Sequence, residues 1–209
     1  MKVLLLNGSP HENGCTFRAL TEVRTTLGSL GIAADIFQLG TKPVAGCAAC
    51  NYCSEHDKCV YDDRVNEFLA VAREYDGFVF GSPVYYGGPA GQMKSFMDRV
   101  FYSCDRSVFA FMPVFCVCSA RRAGTTATLD VMQKYFFLMN MFIVTGTYWP
   151  QVHGFTAEDV ERDTEGLQTM RNCARNMAWF LRLKENAAAN GIPLPDTERG
   201  NVTNFIREA

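Results

Sequence analysis

GSPVYYGGPAGQMKSFMDR, residues 81–99, decides the fold of this chain. An apolar run, residues 77–81, leads into it and reads as a strand buried on both faces. The loop 82–88 follows, and then a helical stretch with Pro89 in its first turn, where a missing amide costs nothing. Strand end, loop and helix thus succeed one another in one unbroken run, the repeating unit of a parallel α/β sheet.

The same alternation extends in both directions. Residues 2–7 are a short apolar strand ending in a Gly turn, 14–27 a helix and 32–39 a second strand. Asp62 and Asp63 can cap a helix reaching Tyr75, since Val65, Phe68, Leu69 and Ala72 recur at helical spacing. Downstream, 113–119 reads as the fourth strand, 125–139 as a helix and 141–147 as the fifth strand. A long helix, 164–189, ends at Gly191 and Pro193. The prediction is one α/β domain over 1–190, a doubly wound five-stranded parallel sheet with helices on both faces, and a polar tail over 191–209. Ligands of such sheets sit at the carboxyl ends of the strands, at the switch point, so the loops after strands one, three and four are the ones to inspect.

Composition bounds the function. The 209 residues suffice for one large core, and 48% hydrophobic with 20% charged residues is ordinary for a soluble globular protein. A net charge of −2 without a basic block argues against nucleic acid or an anionic membrane as partner. The apolar run 3–6 is too short for a signal peptide, and the stretches 108–118 and 135–144 are broken by Pro113 and Asn140 before they could span a bilayer. The expectation is a cytoplasmic protein. There, nine cysteines, an odd number, read as reduced thiols or metal ligands rather than a disulfide framework.

Four of the nine, Cys47, Cys50, Cys53 and Cys59, fall in the loop 43–61. Two-residue spacings let a tight loop converge three sulfurs on one centre, with Cys59 closing the fourth position, as in cubane clusters. Structural zinc more often takes two C-x2-C pairs set further apart. Free thiols, zinc and a disulfide remain open alternatives. The loop lies between strand two and the next helix, which predicts a place on the carboxyl side of the sheet. Cys104, Cys116, Cys118 and Cys173 read as buried small hydrophobes.

In the first loop, GSPHENGCT (8–16), amides at a helix start, the hydroxyls of Ser9 and Thr16 and the amide of Asn13 can surround a phosphate. Five residues separate its glycines and Cys15 stands where a Walker A loop needs Lys, while G-x-G-x-x-G is absent. A terminal monophosphate fits better; the plainer alternative is a polar helix-capping turn. In the second loop, small residues let a planar ring approach the backbone and Tyr85 and Tyr86 offer stacking faces. In the third, 118–125, amides and an Arg could meet the carbonyls of such a ring and stabilise negative charge. The alternatives there are a solvent loop with one Tyr in the core, and solvated arginines. His11 lies in the first loop and His56 in the cysteine loop, with plain solvation the alternative for either; His153 shows no partner in sequence, and Lys94 and Asp98, four apart on one helix, read as an ion pair.

Taken together, NGSPHENGCT (7–16), CAACNYCSEHDKC (47–59) followed by Asp62-Asp63, and GSPVYYGGPAGQMKSFMDR resemble the flavodoxin-like NAD(P)H-dependent FMN reductases, particularly the iron–sulfur flavoproteins, over residues 1–185. The resemblance implies FMN with its phosphate at Ser9, Asn13, Cys15 and Thr16. It implies an isoalloxazine against Pro83, Val84, Tyr85, Tyr86 and Gly87, with Ser119, Arg122 and Gly124 along its pyrimidine side. It also implies homodimers or homotetramers in which a neighbour helps cover the flavin. The expected activity is an FMN-dependent oxidoreductase using NAD(P)H as co-substrate and passing electrons to a quinone, a flavin, another small acceptor or a redox protein. A 4Fe–4S cluster on the four loop cysteines is the expected second centre. The alternative is a non-enzymatic electron carrier reduced by a ferredoxin-type donor. No side chain is assigned as catalytic, because the flavin carries the chemistry.

Overall fold

Val3, Leu4, Leu5 and Leu6 are all buried in the computed structural model, which describes residues 1–203 and 205. They form the centre of β1 (Lys2–Asn7). In chain order there follow α1 (Cys15–Ser29), β2 (Ala33–Gln38), a short α2 (Cys53–His56), α3 (Arg64–Ala72), β3 (Gly77–Tyr85), β4 (Gly88–Pro89) and α4 (Gly91–Ser103). After a 3-10 turn at Arg106–Val108 come β5 (Pro113–Ala120), α5 (Thr125–Leu138), β6 (Phe142–Ile143), β7 (Gln151–His153), α6 (Ala157–Val160) and α7 (Thr164–Ala189). The tail expected over 191–209 carries neither helix nor strand in its described part. Residues 204 and 206–209 lie outside the described residues.

The sheet order is β2-β1-β3-β5-β6, with every pairing along this path parallel. The chain reverses direction across the sheet between β1 and β3, which is therefore the switch point where a doubly wound sheet opens a crevice. Alternation along each strand serves two cores. Leu4 and Leu6 of β1, Phe78 and Phe80 of β3, and Val114 and Cys116 of β5 face α3, α4 and α5, where Phe68, Phe96 and Phe136 join them. Val3, Leu5, Val79, Phe115 and Val117 face α1 and α7, against Leu20, Val23, Met170 and Cys173. Helices on both faces explain why these strands are apolar throughout.

The sheet has seven strands, not five. The extra two have local causes. Tyr86 and Gly87 both take positive φ, 51° and 76°, so β3 turns back in a two-residue hairpin onto β4, with Val84 opposite Pro89. Pro89 is consequently a hairpin residue, and α4 starts at Gly91 rather than around the proline. The fifth strand expected over 141–147 pairs only at Phe142 and Ile143. Beyond Val144 the chain leans onto α7: Asn176 Nδ2 donates to the Thr145 carbonyl, and a Cβ on Gly146 would lie 2.7 Å from Cys173 Sγ. It returns as β7, which completes the edge beside Cys118, Ser119 and Ala120. Among the described residues no helix is long and apolar enough to cross a membrane.

Candidate functional site

The β1–α1 loop is threaded beneath the end of β3. Gly8 N donates to the Gly81 carbonyl at 2.8 Å, and a Cβ on Gly8 would lie 2.5 Å from Met93 Sδ, so only glycine lets the strands end this close. Asn7, fully buried, shapes the turn: its Oδ1 accepts from Ser9 N at 3.2 Å and its Nδ2 donates to Gln38 Oε1 at 2.6 Å. Helix α1 then begins after Gly14, which offers no side-chain cap. The first-turn amides, together with the positive end of the helix dipole, are left facing an open space that suits an anion.

That space is a cleft of about 520 Å³ at the carboxyl ends of β1, β3 and β5. Its walls interlock. The hydroxyls of Thr16 and Ser119 are 2.8 Å apart, joining the first loop to the third. Gly124, at φ +91°, packs so tightly that a Cβ there would lie 2.8 Å from Gly87 Cα, joining the third loop to the second. Cys15 Sγ donates to the Thr156 carbonyl at 3.2 Å, with Gly154 O at 3.5 Å, tying the start of α1 to the chain after β7. Burial, helped by Asp159 and Glu158 and partly offset by a backbone hydrogen bond, pushes the Cys15 thiol up, so it stays a neutral tie. At the mouth the Arg121 guanidinium lies 5.5 Å from the Phe155 ring centroid.

A second, smaller cavity is lined by all four loop cysteines, with Arg99, Tyr102 and Ser103 of α4 behind them. Cys47 and Cys50 are exposed, while Cys53 and Cys59 are half-buried. Burial raises the Cys53 thiol against a backbone hydrogen bond, and Cys59, Cys47 and Cys50 raise it further, a measure of how near the four lie. The loop bends through Ala49, Asn51 and Asp57, all at positive φ. Asn51, at positive φ, is followed by right-handed Tyr52, the left–right succession of which anion-binding nests are built. All nine cysteines are free thiols. Among the described residues no three side chains of His, Cys, Asp or Glu converge enough to hold a single metal ion. A cubane offers four separate iron corners, so thiols surrounding a common space fit it better than they fit one zinc.

Residues 1–155 match the family described as NADPH-dependent FMN reductase. The chain belongs to this family. It is 32% identical over 194 residues to an iron–sulfur flavoprotein of Methanocaldococcus jannaschii, covering 88% of this chain and 98% of the relative. It is 27% identical over 187 residues to an iron–sulfur flavoprotein of Methanosarcina thermophila, covering 88% and 96%. Among solved structures, RosB with the bound intermediate 8-demethyl-8-formylriboflavin-5′-phosphate superposes with a TM-score of 0.69 over 100% of this chain and 94% of that one. At 12% identity that likeness speaks for the fold alone. Family membership makes this an FMN-binding flavoprotein oxidoreductase with a flavodoxin-like fold.

In this FMN reductase family member the cleft brings together Ser9, Cys15, Thr16, Pro83, Val84, Tyr85 and Ser119 of the residues expected from sequence. Asn13, Tyr86, Gly87, Arg122 and Gly124 do not line it. Gly87 and Gly124 act one layer behind, packed on each other, and Tyr86 is fully exposed because the hairpin turn carries it outward. Arg121 lines the cleft in place of Arg122, His11 lines it from the first loop, and Phe155 lines it without having been anticipated there. Arg121 and Arg122 are equivalent in sequence, and only the strand register chooses between them. Phe155 enters by way of β7, an element whose three residues carry no periodic signal. The cysteine cavity and the cleft are separate spaces. The cavity borders the second half of α4, roughly 12–18 Å along the helix from Gly91 at 1.5 Å per residue. Among the described residues none lines both spaces.

Proposed function

We propose that the protein takes electrons from NAD(P)H into FMN held in the cleft and passes them to a small acceptor such as a quinone or a flavin. In this reading Cys47, Cys50, Cys53 and Cys59 hold a 4Fe–4S cluster as a second redox centre. The single observation that carries it is the interlocking of three loops, Gly8 on Gly81, Thr16 on Ser119 and Gly124 on Gly87, around one crevice at the switch point. Such a frame holds its donors in place before the ligand arrives.

The first-turn amides of α1, with the hydroxyls of Ser9 and Thr16, are the phosphate donors. Ser9 Oγ already accepts from His11 N at 3.1 Å, which leaves its own proton free to point into the cleft. Pro83, Val84 and Tyr85 form one wall for the ring. Ala120 and Arg121 form the opposite side, where the guanidinium meets negative charge on the pyrimidine edge. FMN supplies the exchange between two-electron and one-electron chemistry, and a cluster the storage of single electrons.

The exposure of Cys47, Cys50 and Tyr86 and the separation of cavity from cleft within one chain favour a homodimer or homotetramer. In that assembly a second copy covers these groups and brings one chain's cavity towards another's cleft. Nine free thiols suit a reducing compartment such as the cytoplasm.

The test is the visible spectrum of anaerobically purified protein, with iron and acid-labile sulfide determined per FMN, followed by addition of NADH or NADPH. Flavin bleaching by a pyridine nucleotide, with about four irons per FMN, is the expected result. Bleaching only by a reduced ferredoxin would make the protein an electron carrier, and flavin without iron or sulfide would remove the cluster.

A further inference from the structure

Among the described residues Arg99 is the largest side chain with under 2% exposure. A guanidinium so placed must use its donors, and all five N–H groups are engaged. Nε donates to Cys59 Sγ at 3.2 Å. Nη1 donates to Asp63 Oδ2 at 2.7 Å and to the Ala45 carbonyl at 3.3 Å. Nη2 donates to Asp63 Oδ1 at 2.9 Å and to the Tyr61 carbonyl at 3.2 Å, and the Tyr61 ring lies over the cation at 4.9 Å. Asp63 in turn caps α3 by accepting from Val65 N.

Two functions are combined in this one side chain. The fork on Asp63 and the two carbonyls clamp both ends of the cysteine loop onto α4. The remaining donor, Nε, is spent on a sulfur, and it is the guanidinium rather than the Asp63 carboxylate that touches it. Among the four loop cysteines only Cys59 has such a neighbour within the described residues.

We propose that Arg99 is a positioning residue for Cys59, fixing this fourth thiolate and raising the reduction potential of the cluster through a permanent positive charge at its sulfur. The proposal rests on the cluster reading given above. Cluster potentials follow net charge, hydrogen bonds to sulfur and exposure. Reduction adds negative charge, and a cation in hydrogen-bond contact with one ligand stabilises the reduced state more than the oxidised one. Cys47 and Cys50 are exposed and Cys53, half-buried like Cys59, takes no hydrogen bond from a cation among the described residues, so Cys59 is the ligand through which the protein sets the potential.

The test uses the intact holoprotein in two variants. Arg99→Gln combined with Asp63→Asn removes both charges of the ion pair together, so neither is left unpaired, and Asn still caps α3. Arg99→Lys keeps the charge and loses the fork. Iron and sulfide per FMN are measured, and the cluster is titrated by EPR-monitored reduction with the FMN couple as internal reference. The expected result is wild-type FMN content in both variants, a cluster potential lowered in the double variant, and a smaller shift in Arg99→Lys. Iron lost from the double variant but kept in Arg99→Lys, with FMN retained in both, also supports the proposal. An unmoved cluster potential at full iron loading overturns it, as does an equal shift or equal loss of iron in both variants, which would make Arg99 a scaffold only. Wild-type protein with FMN but neither iron nor sulfide defeats the cluster reading itself, a failure visible before any variant is made.

Discussion

The Thr16 and Ser119 hydroxyls, 103 residues apart in the chain, share a 2.8 Å hydrogen bond in a setting where both residues are almost fully buried, at 1% and 4% exposure. This contact ties the start of α1 to the end of β5. If Thr16 donates into the cleft, Ser119 donates to Thr16, and the orientation of both protons is set by the ligand.

Thr16→Val keeps the shape, removes that donor and leaves the Ser119 hydroxyl without its partner. The loss of one hydrogen bond to a charged group, about 1.5–3 kcal/mol, weakens FMN binding at least tenfold. Ser119→Ala has the smaller effect, because Thr16 keeps its own proton. Fluorescence titration of apoprotein with FMN measures both, and an unchanged Thr16→Val titration would remove the phosphate role of this hydroxyl.

Tyr85 and Tyr86 are predicted to separate. Tyr85 lines the cleft, so Tyr85→Ala shifts the flavin absorption spectrum. Tyr86 sits at φ 51° in a tight turn followed by Gly87, a position suited to Asn. Tyr86→Asn therefore relieves a left-handed conformation and stabilises the fold by up to about 1 kcal/mol, read as a higher thermal midpoint. Equal spectral shifts from the two variants would place Tyr86 against the ring as well.

Cys50→Ala is expected to lower iron and sulfide content while FMN content stays at the wild-type level, since the cysteine cavity and the cleft share no lining residue among those described. Metal analysis of anaerobically prepared protein decides it. Full iron loading would exclude Cys50 as a required ligand.

Acid stability should depend on Glu22. Burial alone would raise its pKa, but hydrogen bonds from Arg171, which ties α7 to α1, and from Arg18 within α1 outweigh it and hold the carboxyl below its ordinary value. A depressed pKa means that the folded state binds its proton later than the unfolded chain does. The stabilisation is thus present above the ordinary glutamate range, about 4.3, and is lost as pH falls through the folded value. Glu22→Gln should flatten the fall in thermal midpoint below that range, and an unaltered slope would show the pair to be energetically idle.

The fold was legible because burial on both faces and helical spacing are properties of neighbouring residues. The run of Val3 to Leu6, the Phe78 and Phe80 alternation and the spacing of Val65, Phe68 and Ala72 each report their element without reference to the rest of the chain. The weak points were the ends. Nothing local says that Tyr86 and Gly87 turn β3 back on itself, or that the chain after Val144 leans onto α7 before rejoining the sheet as β7.

For the site, the sequence alone determined which loops meet and most of the polar groups they bring, since the carboxyl ends of β1, β3 and β5 must adjoin once the sheet is doubly wound. It also grouped the four cysteines, whose spacing is a short-range property. Only the tertiary structure decided that Arg121 rather than Arg122 faces the cleft, and that Phe155 lines it. It alone set the cysteine cavity against α4, with no lining residue shared with the cleft among those described, and buried Arg99 against Cys59, 40 residues away. Those outcomes depend on how one helix packs over a sheet and a loop, and a contact across such a separation leaves no periodic trace in the chain.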